Sequence, residues 1–141
     1  MICPVCGKDM LVAEFKGIEL DYCPGCRGVW FDAGELETLL ETAGLPGDNR
    51  FLEGISHIPD AAADEKKYRC PVCMRKMKKI YIDTEKKIVT DVCNGGHGIW
   101  FDGGEVTSLV KYLAEKAPEN PESRKVLGFI ADMFKYQAET F

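Results

Sequence analysis

Cys3-Pro4-Val5-Cys6 is followed, after sixteen residues, by Cys23-Pro24-Gly25-Cys26 and then by Gly28-Val29-Trp30-Phe31-Asp32-Ala33-Gly34-Glu35-Leu36. The phrase returns as Cys70-Pro71-Val72-Cys73, nineteen residues, Cys93-Asn94-Gly95-Gly96-His97, and Gly98-Ile99-Trp100-Phe101-Asp102-Gly103-Gly104-Glu105-Val106. The second copy lacks its fourth cysteine, and His97 stands one residue beyond the expected slot. This accounts for the odd total of seven cysteines. Two Cys-x-x-Cys turns are the usual supply of ligands for one tetrahedral ion. Cys3, Cys6, Cys23 and Cys26 therefore form one expected site, and Cys70, Cys73, Cys93 and His97 a second.

Zinc is the expected metal, two ions per chain. Iron competes at the first site, because rubredoxin-like centres also use paired Cys-x-x-Cys turns. Three cysteines with one histidine are a common structural zinc set and an unusual iron one. An imidazole reaches farther than a thiolate, so a Cys-x-x-x-His turn is feasible. The alternative for His97 is an exposed side chain beside a three-ligand site. Gly7 suits the tight turn after Cys6 because glycine accepts positive φ; Met74 stands at that place in the second copy, where a tighter or distorted turn is expected.

A chain of 141 residues holding two such copies reads as two small units, each near the length at which a hydrophobic core alone is marginal. Metal rather than disulfide is the expected staple. Cys3 lies too close to Met1 for a signal peptide before it, no apolar run approaches a membrane span, and disulfide frameworks do not persist in a reducing cytoplasm. A cytoplasmic location follows as an expectation. The formal net charge of −5 disfavours polyanion binding through the average field. Cations concentrate in the second copy, and Lys78, Lys79, Lys86 and Lys87 are its candidate nucleic-acid contacts; the competing reading is a set of solvated strand faces and turns.

Each copy reads as a β-hairpin followed by a helix. Met10 to Phe15 and Ile18 to Tyr22 flank Lys16-Gly17; Met77 to Ile82 and Lys87 to Val92 flank a turn near 83–86. The three extra residues of the second copy fall at the hairpin tip. Asp32 and Asp102 are expected N-caps, with Glu35 and Glu105 completing capping boxes. Leu36, Leu39, Leu40 and Ala43 form one apolar stripe and Val106, Leu109, Val110 and Leu113 the other, with Gly44 as the stop of the first helix. The linker has a candidate short helix from Asp48 carrying Phe51, Leu52, Ile55 and Ile58; His57 reads as a surface residue. Asn120-Pro121 opens a last helix whose apolar residues, Val126 to Tyr136, span about half its circumference, more than one core requires. Either it is clamped between the copies or it builds a homodimer interface. The expected architecture is small α+β and metal-stabilised: ribbon and helix over 1–44, linker 45–69, ribbon and helix over 70–117, and an amphipathic helix over 118–141.

Catalysis is disfavoured. A site filled by four cysteines has no position for water. Glu105, the nearest motif carboxylate to the second site, has an equivalent in Glu35, so capping explains both and catalysis only one. The His-x-Glu of zinc deaminases does not precede a Pro-Cys-x-x-Cys here. A thiol-redox role would use one such pair at the start of a helix, whereas these come in twos on hairpin ends. Trp30-Phe31 and Trp100-Phe101 could stack on nucleobases; packing that seats the following helix is the preferred reading.

Cys3-Pro4-x-Cys6-Gly7 with Tyr22-Cys23-Pro24-x-Cys26-x-Gly28-x-Trp30-Phe31-Asp32-x-Gly34-Glu35-Leu36 resembles the transcription factor IIB-type zinc fingers, a zinc-ribbon family. Cys70 to about Val110 resembles it too, departing at Met74, Gly96 and His97. The resemblance implies zinc ribbons with zinc held by the seven cysteines, and a transcription-related or nucleic-acid-binding role. The leading functional expectation is a non-enzymatic adaptor or regulator that contacts another macromolecule, a protein, through ribbon faces and the last helix. A nucleic-acid-binding regulator using the second hairpin is the alternative, and zinc-dependent hydrolysis at the second site a weaker one.

Overall fold

The computed structural model describes residues 1–15, 17–42, 44, 68–81, 89–116 and 120–129. The expected linker helix, His57, Lys86, Lys87, the second hairpin turn and residues 130–136 of the last helix lie outside them. The strands are β1 (Leu11–Phe15), β2 (Ile18–Tyr22), β3 (Val29–Asp32), β4 (Lys78–Tyr81), β5 (Val89–Val92) and β6 (Gly98–Phe101). Helix α1 (Glu35–Thr42) follows β3 and α2 (Gly103–Lys116) follows β6. A third helix, α3, runs through residues 121–129.

The hairpins β1–β2 and β4–β5 each gain a third strand from the residues just past the second ligand loop. Those third strands, β3 and β6, pair antiparallel with each other. The result is one six-stranded antiparallel sheet in the order β1-β2-β3-β6-β5-β4. Trp30 lies opposite its own repeat counterpart, Trp100, while Val29 faces Phe101 and Phe31 faces Ile99. The copies are thus joined as a two-fold pair is joined, with the axis passing between the tryptophans.

Alternation along the strands gives the sheet two different faces. One carries Ile18, Leu20, Val29 and Phe31 from the first copy and Ile80, Val92, Ile99 and Phe101 from the second. Leu36 and Leu39 of α1, Val106 of α2 and Val126 of α3 close this core. Phe31 and Phe101 meet edge to face with centroids 5.6 Å apart, an arrangement worth about 1 kcal/mol beyond area burial. Phe129 stacks on Phe15 at 5.0 Å, and Asn120 Oδ1 accepts from the Ser123 amide at 2.8 Å to cap α3. The described part of the last helix therefore packs within the chain. The opposite face carries Met10, Trp30, Met77 and Trp100 beside Cys3, Cys23, Cys70 and Cys93.

The two caps differ. At the second copy Asp102 Oδ1 accepts from the Glu105 amide at 3.0 Å, and Glu105 Oε2 accepts from the Asp102 amide at 3.2 Å, a complete capping box. At the first copy Asp32 is not the cap. It stays in β3 opposite Gly98, the next amide, Ala33 N–H, donates to His97 O at 3.0 Å, and α1 starts only at Glu35. Strand pairing holds Asp32 away from the helix, so its carboxylate accepts from Trp30 Nε1 at 2.9 Å. Glu35 accepts instead from the Glu19 amide at 3.2 Å. With Asp102 spent on its helix, Trp100 Nε1 is the one buried side-chain nitrogen or oxygen without a hydrogen-bond partner among the described residues.

Candidate metal centres

Each ligand pair sits on a tight turn at the mouth of a hairpin. The amides of Gly7, Arg27 and Met74 donate to the carbonyls of Cys3, Cys23 and Cys70 at 3.1, 3.0 and 2.8 Å. All three residues have positive φ, 77°, 66° and 64°. Met74 therefore accepts the left-handed conformation that Gly7 takes without cost, and the second turn keeps the geometry of the first rather than distorting. The fourth turn is built differently. Gly96, at φ 79°, closes it one residue early by donating to Cys93 O at 3.0 Å. This places His97 at the turn exit, and its ring reaches back to the sulfurs: Nδ1 is 3.3 Å from Cys93 Sγ.

The ligand atoms converge as the spacing anticipates. Those of Cys3, Cys6, Cys23 and Cys26 all lie within 4.8 Å of one another, as do those of Cys70, Cys73, Cys93 and His97. Sulfur–sulfur separations are 3.3 Å for Cys3–Cys26 and for Cys6–Cys23, and 3.6 Å for Cys73–Cys93. A tetrahedral ion with metal–sulfur bonds of about 2.3 Å needs an edge of about 3.8 Å. Sub-ångström adjustment brings either group onto an ion. Amides support the sulfurs from behind: Val5 N–H to Cys3, Cys26 N–H to Cys23, Val72 N–H to Cys70 and Gly95 N–H to Cys93, all at 3.3–3.4 Å.

Crowding also splits the thiol acidities. A hydrogen bond from Cys26 brings Cys3 down to about 5, while Cys26 is driven up by giving it. A backbone hydrogen bond lowers Cys73 to about 7, and burial raises Cys70 to about 11. Four adjacent sulfurs cannot all ionise unless a cation balances them; zinc does so and releases the remaining protons. Both groups fit zinc, and zinc held there would supply structural cross-linking of hairpin to loop, with four protein donors around each ion.

The copies also exchange packing. A Cβ on Gly28 would lie 2.1 Å from Cζ2 of Trp100, and one on Gly98 would lie 2.7 Å from Cζ2 of Trp30. Each indole thus lies over the glycine that follows the other copy's ligand loop. Gly28 and Gly98 had no such role in the sequence reading, although a glycine at the same place in both copies was the available signal.

Two further side chains change meaning. Lys79, a candidate phosphate contact, is 3 % exposed, and its Nζ lies 2.8 Å from Asp91 Oδ1 and 5.4 Å from the Tyr68 ring centroid. The pair is cross-strand, Lys79 opposite Asp91, so it is committed to the sheet and unavailable to a polyanion. Lys78 is half-buried. Trp30 and Trp100 are fully buried and offer no stacking platform. Beside the second copy's pair, burial and the neighbouring Asp102 push the Glu105 carboxyl up to about 8. No described helix is long and apolar enough to cross a membrane.

No curated protein and no solved structure matches the chain. Residues 2–42 match the family described as transcription factor zinc-finger, a span that contains the first ligand group and the Trp-Phe-Asp-x-Gly-Glu phrase. The second group stands on its own donor geometry. Residues 2–42 are thus similar to the transcription factor zinc-finger family, of the zinc-ribbon kind, and beyond that span the chain carries a second group of three cysteines and a histidine whose donors fit a second zinc ion.

Proposed function

We propose that the protein is a non-enzymatic adaptor in which two tandem zinc ribbons, fused through β3 and β6, present their outer surfaces to a protein partner. The observation that carries this is the completeness of both donor sets: four protein ligands each, which leaves a bound zinc no position for water or substrate. Glu105, the carboxylate that a hydrolytic second site would need, is engaged with the Asp102 amide. Protein is favoured over nucleic acid because the tryptophans and Lys79 are buried, while Met1, Ile2, Val5, Leu11 and Val12 of the acidic first copy are exposed. Val126 and Phe129 of the described part of the last helix pack inside the chain, which takes them out of any homodimer interface.

The test is a pair of measurements on the zinc-loaded full chain. Photo-crosslinkers placed at Leu11 and, separately, at Val72 should each be assayed for a discrete protein adduct in the native host. Titrations with DNA and RNA, single- and double-stranded, at two salt concentrations should show no salt-sensitive binding. Binding that falls with salt and is weakened by neutralising Lys78 would replace the adaptor with a nucleic-acid regulator. Zinc-dependent turnover of ester or phosphoester probes, lost in His97→Ala, would replace it with an enzyme.

A further inference from the structure

The two copies differ on the sheet face away from the helices, and the second copy shows what the first lacks. Tyr68 and Met1 occupy equivalent places: the amide of Met77 donates to Tyr68 O at 2.7 Å, and the amide of Met10 to Met1 O at 2.8 Å. Lys79 and Val12 are likewise equivalent, each two residues further on and each opposite the same aspartate of the repeat, Asp91 or Asp21. In the second copy the lysine lies on Asp91 at 2.8 Å beneath the tyrosine ring, and lysine and aspartate are 3 % and 1 % exposed. In the first copy the corresponding place is open. Val12 is 64 % exposed, Met1 is 45 % exposed, and Asp21 is half-buried with no hydrogen bond or ion pair to its side chain among the described residues. Glu14 and Glu19, exposed on flanking positions, add negative charge.

We propose that this face of the first copy, centred on Val12 and Asp21, is the docking site for a protein segment that sets a lysine or arginine on Asp21 and an aromatic or aliphatic side chain over Val12. The inference rests on the adaptor reading and names its surface and the chemistry of its partner. The warrant is internal. One chain has built the same strand pair twice, and where it closes the pair itself it uses a cation and an aromatic ring. Charge complementarity points the same way: the first copy has only Lys8, Lys16 and Arg27 as cationic side chains, and Asp21 feels the like charges of Asp32 and Glu19 against the α-amino group of Met1. A half-buried carboxylate flanked by exposed apolar surface discriminates by sign: a cation gains a charge-assisted contact, whereas an anion is repelled and an uncharged side chain leaves the carboxylate unpaired. A nucleic-acid strand is excluded by that sign.

The probe is a soluble synthetic peptide, Gly-Tyr-Ile-Lys-Ile-Tyr-Gly, titrated into the ¹⁵N-labelled, zinc-loaded full chain, with Gln and Glu versions as controls. The lysine peptide should shift the amides of Val12 and Asp21 while leaving Lys79 and Asp91 in place. The Gln version should bind at least about fivefold more weakly, and the Glu version not at all. Val12→Lys, which supplies the first copy with the second copy's own solution, should abolish the shifts while keeping two zinc ions per chain; Asp21→Asn should match the loss seen with the Gln peptide. Equal binding of the Lys and Gln peptides, shifts that ignore Val12 and Asp21, undiminished binding to Val12→Lys, or no binding would each overturn the proposal. A host protein that crosslinks elsewhere and is indifferent to Val12→Lys would sink this site and leave the adaptor reading standing; absence of any protein adduct would sink the adaptor reading itself.

Discussion

Gly28→Ala should damage the copy in which it does not lie. The added Cβ would stand 2.1 Å from Cζ2 and 2.2 Å from Cη2 of Trp100, against the roughly 3.5 Å that carbon atoms keep. The indole must therefore move by more than an ångström. It is 0 % exposed and sits on β6, the strand that leaves the His97 loop, so the displacement is carried into the second zinc site. Overpacking of this kind costs about 1–3 kcal/mol. The assay is denaturant unfolding of the zinc-loaded chain, with chelator competition reporting each site. Trp100→Phe removes the ring atoms that the methyl would strike, and in that background Gly28→Ala should cost less than about 0.5 kcal/mol, giving a non-additive cycle. Additive costs, or a loss of zinc confined to the first site, would refute the exchange of packing between copies. Gly98→Ala should be worse, because its Cβ would meet the backbone oxygen of Phe31 at 2.2 Å, which cannot swing aside.

Other outcomes are expected on the same protein. Lys79→Ala leaves Asp91 buried without its counterion and should cost about 3–5 kcal/mol, whereas Lys79→Met with Asp91→Asn should recover at least half of it, measured by urea unfolding. Glu105 has its folded carboxyl raised from the usual range to about 8, so between roughly pH 4.5 and 8 the folded state holds a proton that the unfolded state has lost, and stability falls as pH rises. Glu105→Gln removes that dependence: the stability of the variant relative to the parent should improve from pH 6 to pH 8, and an unchanged difference would contradict the assignment. Met74, at φ 64° and 60 % exposed, bears left-handed strain without a packing return. Met74→Gly should stabilise by about 0.5–1 kcal/mol in the same denaturant assay, and Met74→Val should destabilise.

The ligands were legible because metal spacing is a local property: Cys-x-x-Cys turns, and a glycine that lets His97 take the place of the missing cysteine, are written within six residues. Hairpins and helices were legible for the same reason. The union of the copies was not. Val29 to Asp32 reads as a tryptophan-phenylalanine phrase ahead of a helix; it is a strand that pairs with β2 of its own copy and, about seventy positions away, with β6 of the other. That pairing also explains the misassigned cap. Asp32 and Asp102 share the motif Asp-x-Gly-Glu, yet one is held in the sheet by the hydrogen bond from Ala33 to His97 while the other turns to its helix. Lys79 reads like its neighbours in the lysine run, because such a run carries no sign of which member lies opposite an aspartate. The cross-strand register supplies it.

Zinc K-edge absorption of the purified, stoichiometrically loaded chain tests the central claim most directly. Seven cysteines and one histidine shared between two ions predict two zincs per chain, each four-coordinate. The averaged shell should contain about 3.5 sulfurs at about 2.3 Å and about 0.5 nitrogen at about 2.0 Å, with a single imidazole signature that disappears in His97→Ala. One ion per chain, or an oxygen scatterer in place of the imidazole, would contradict two closed structural sites.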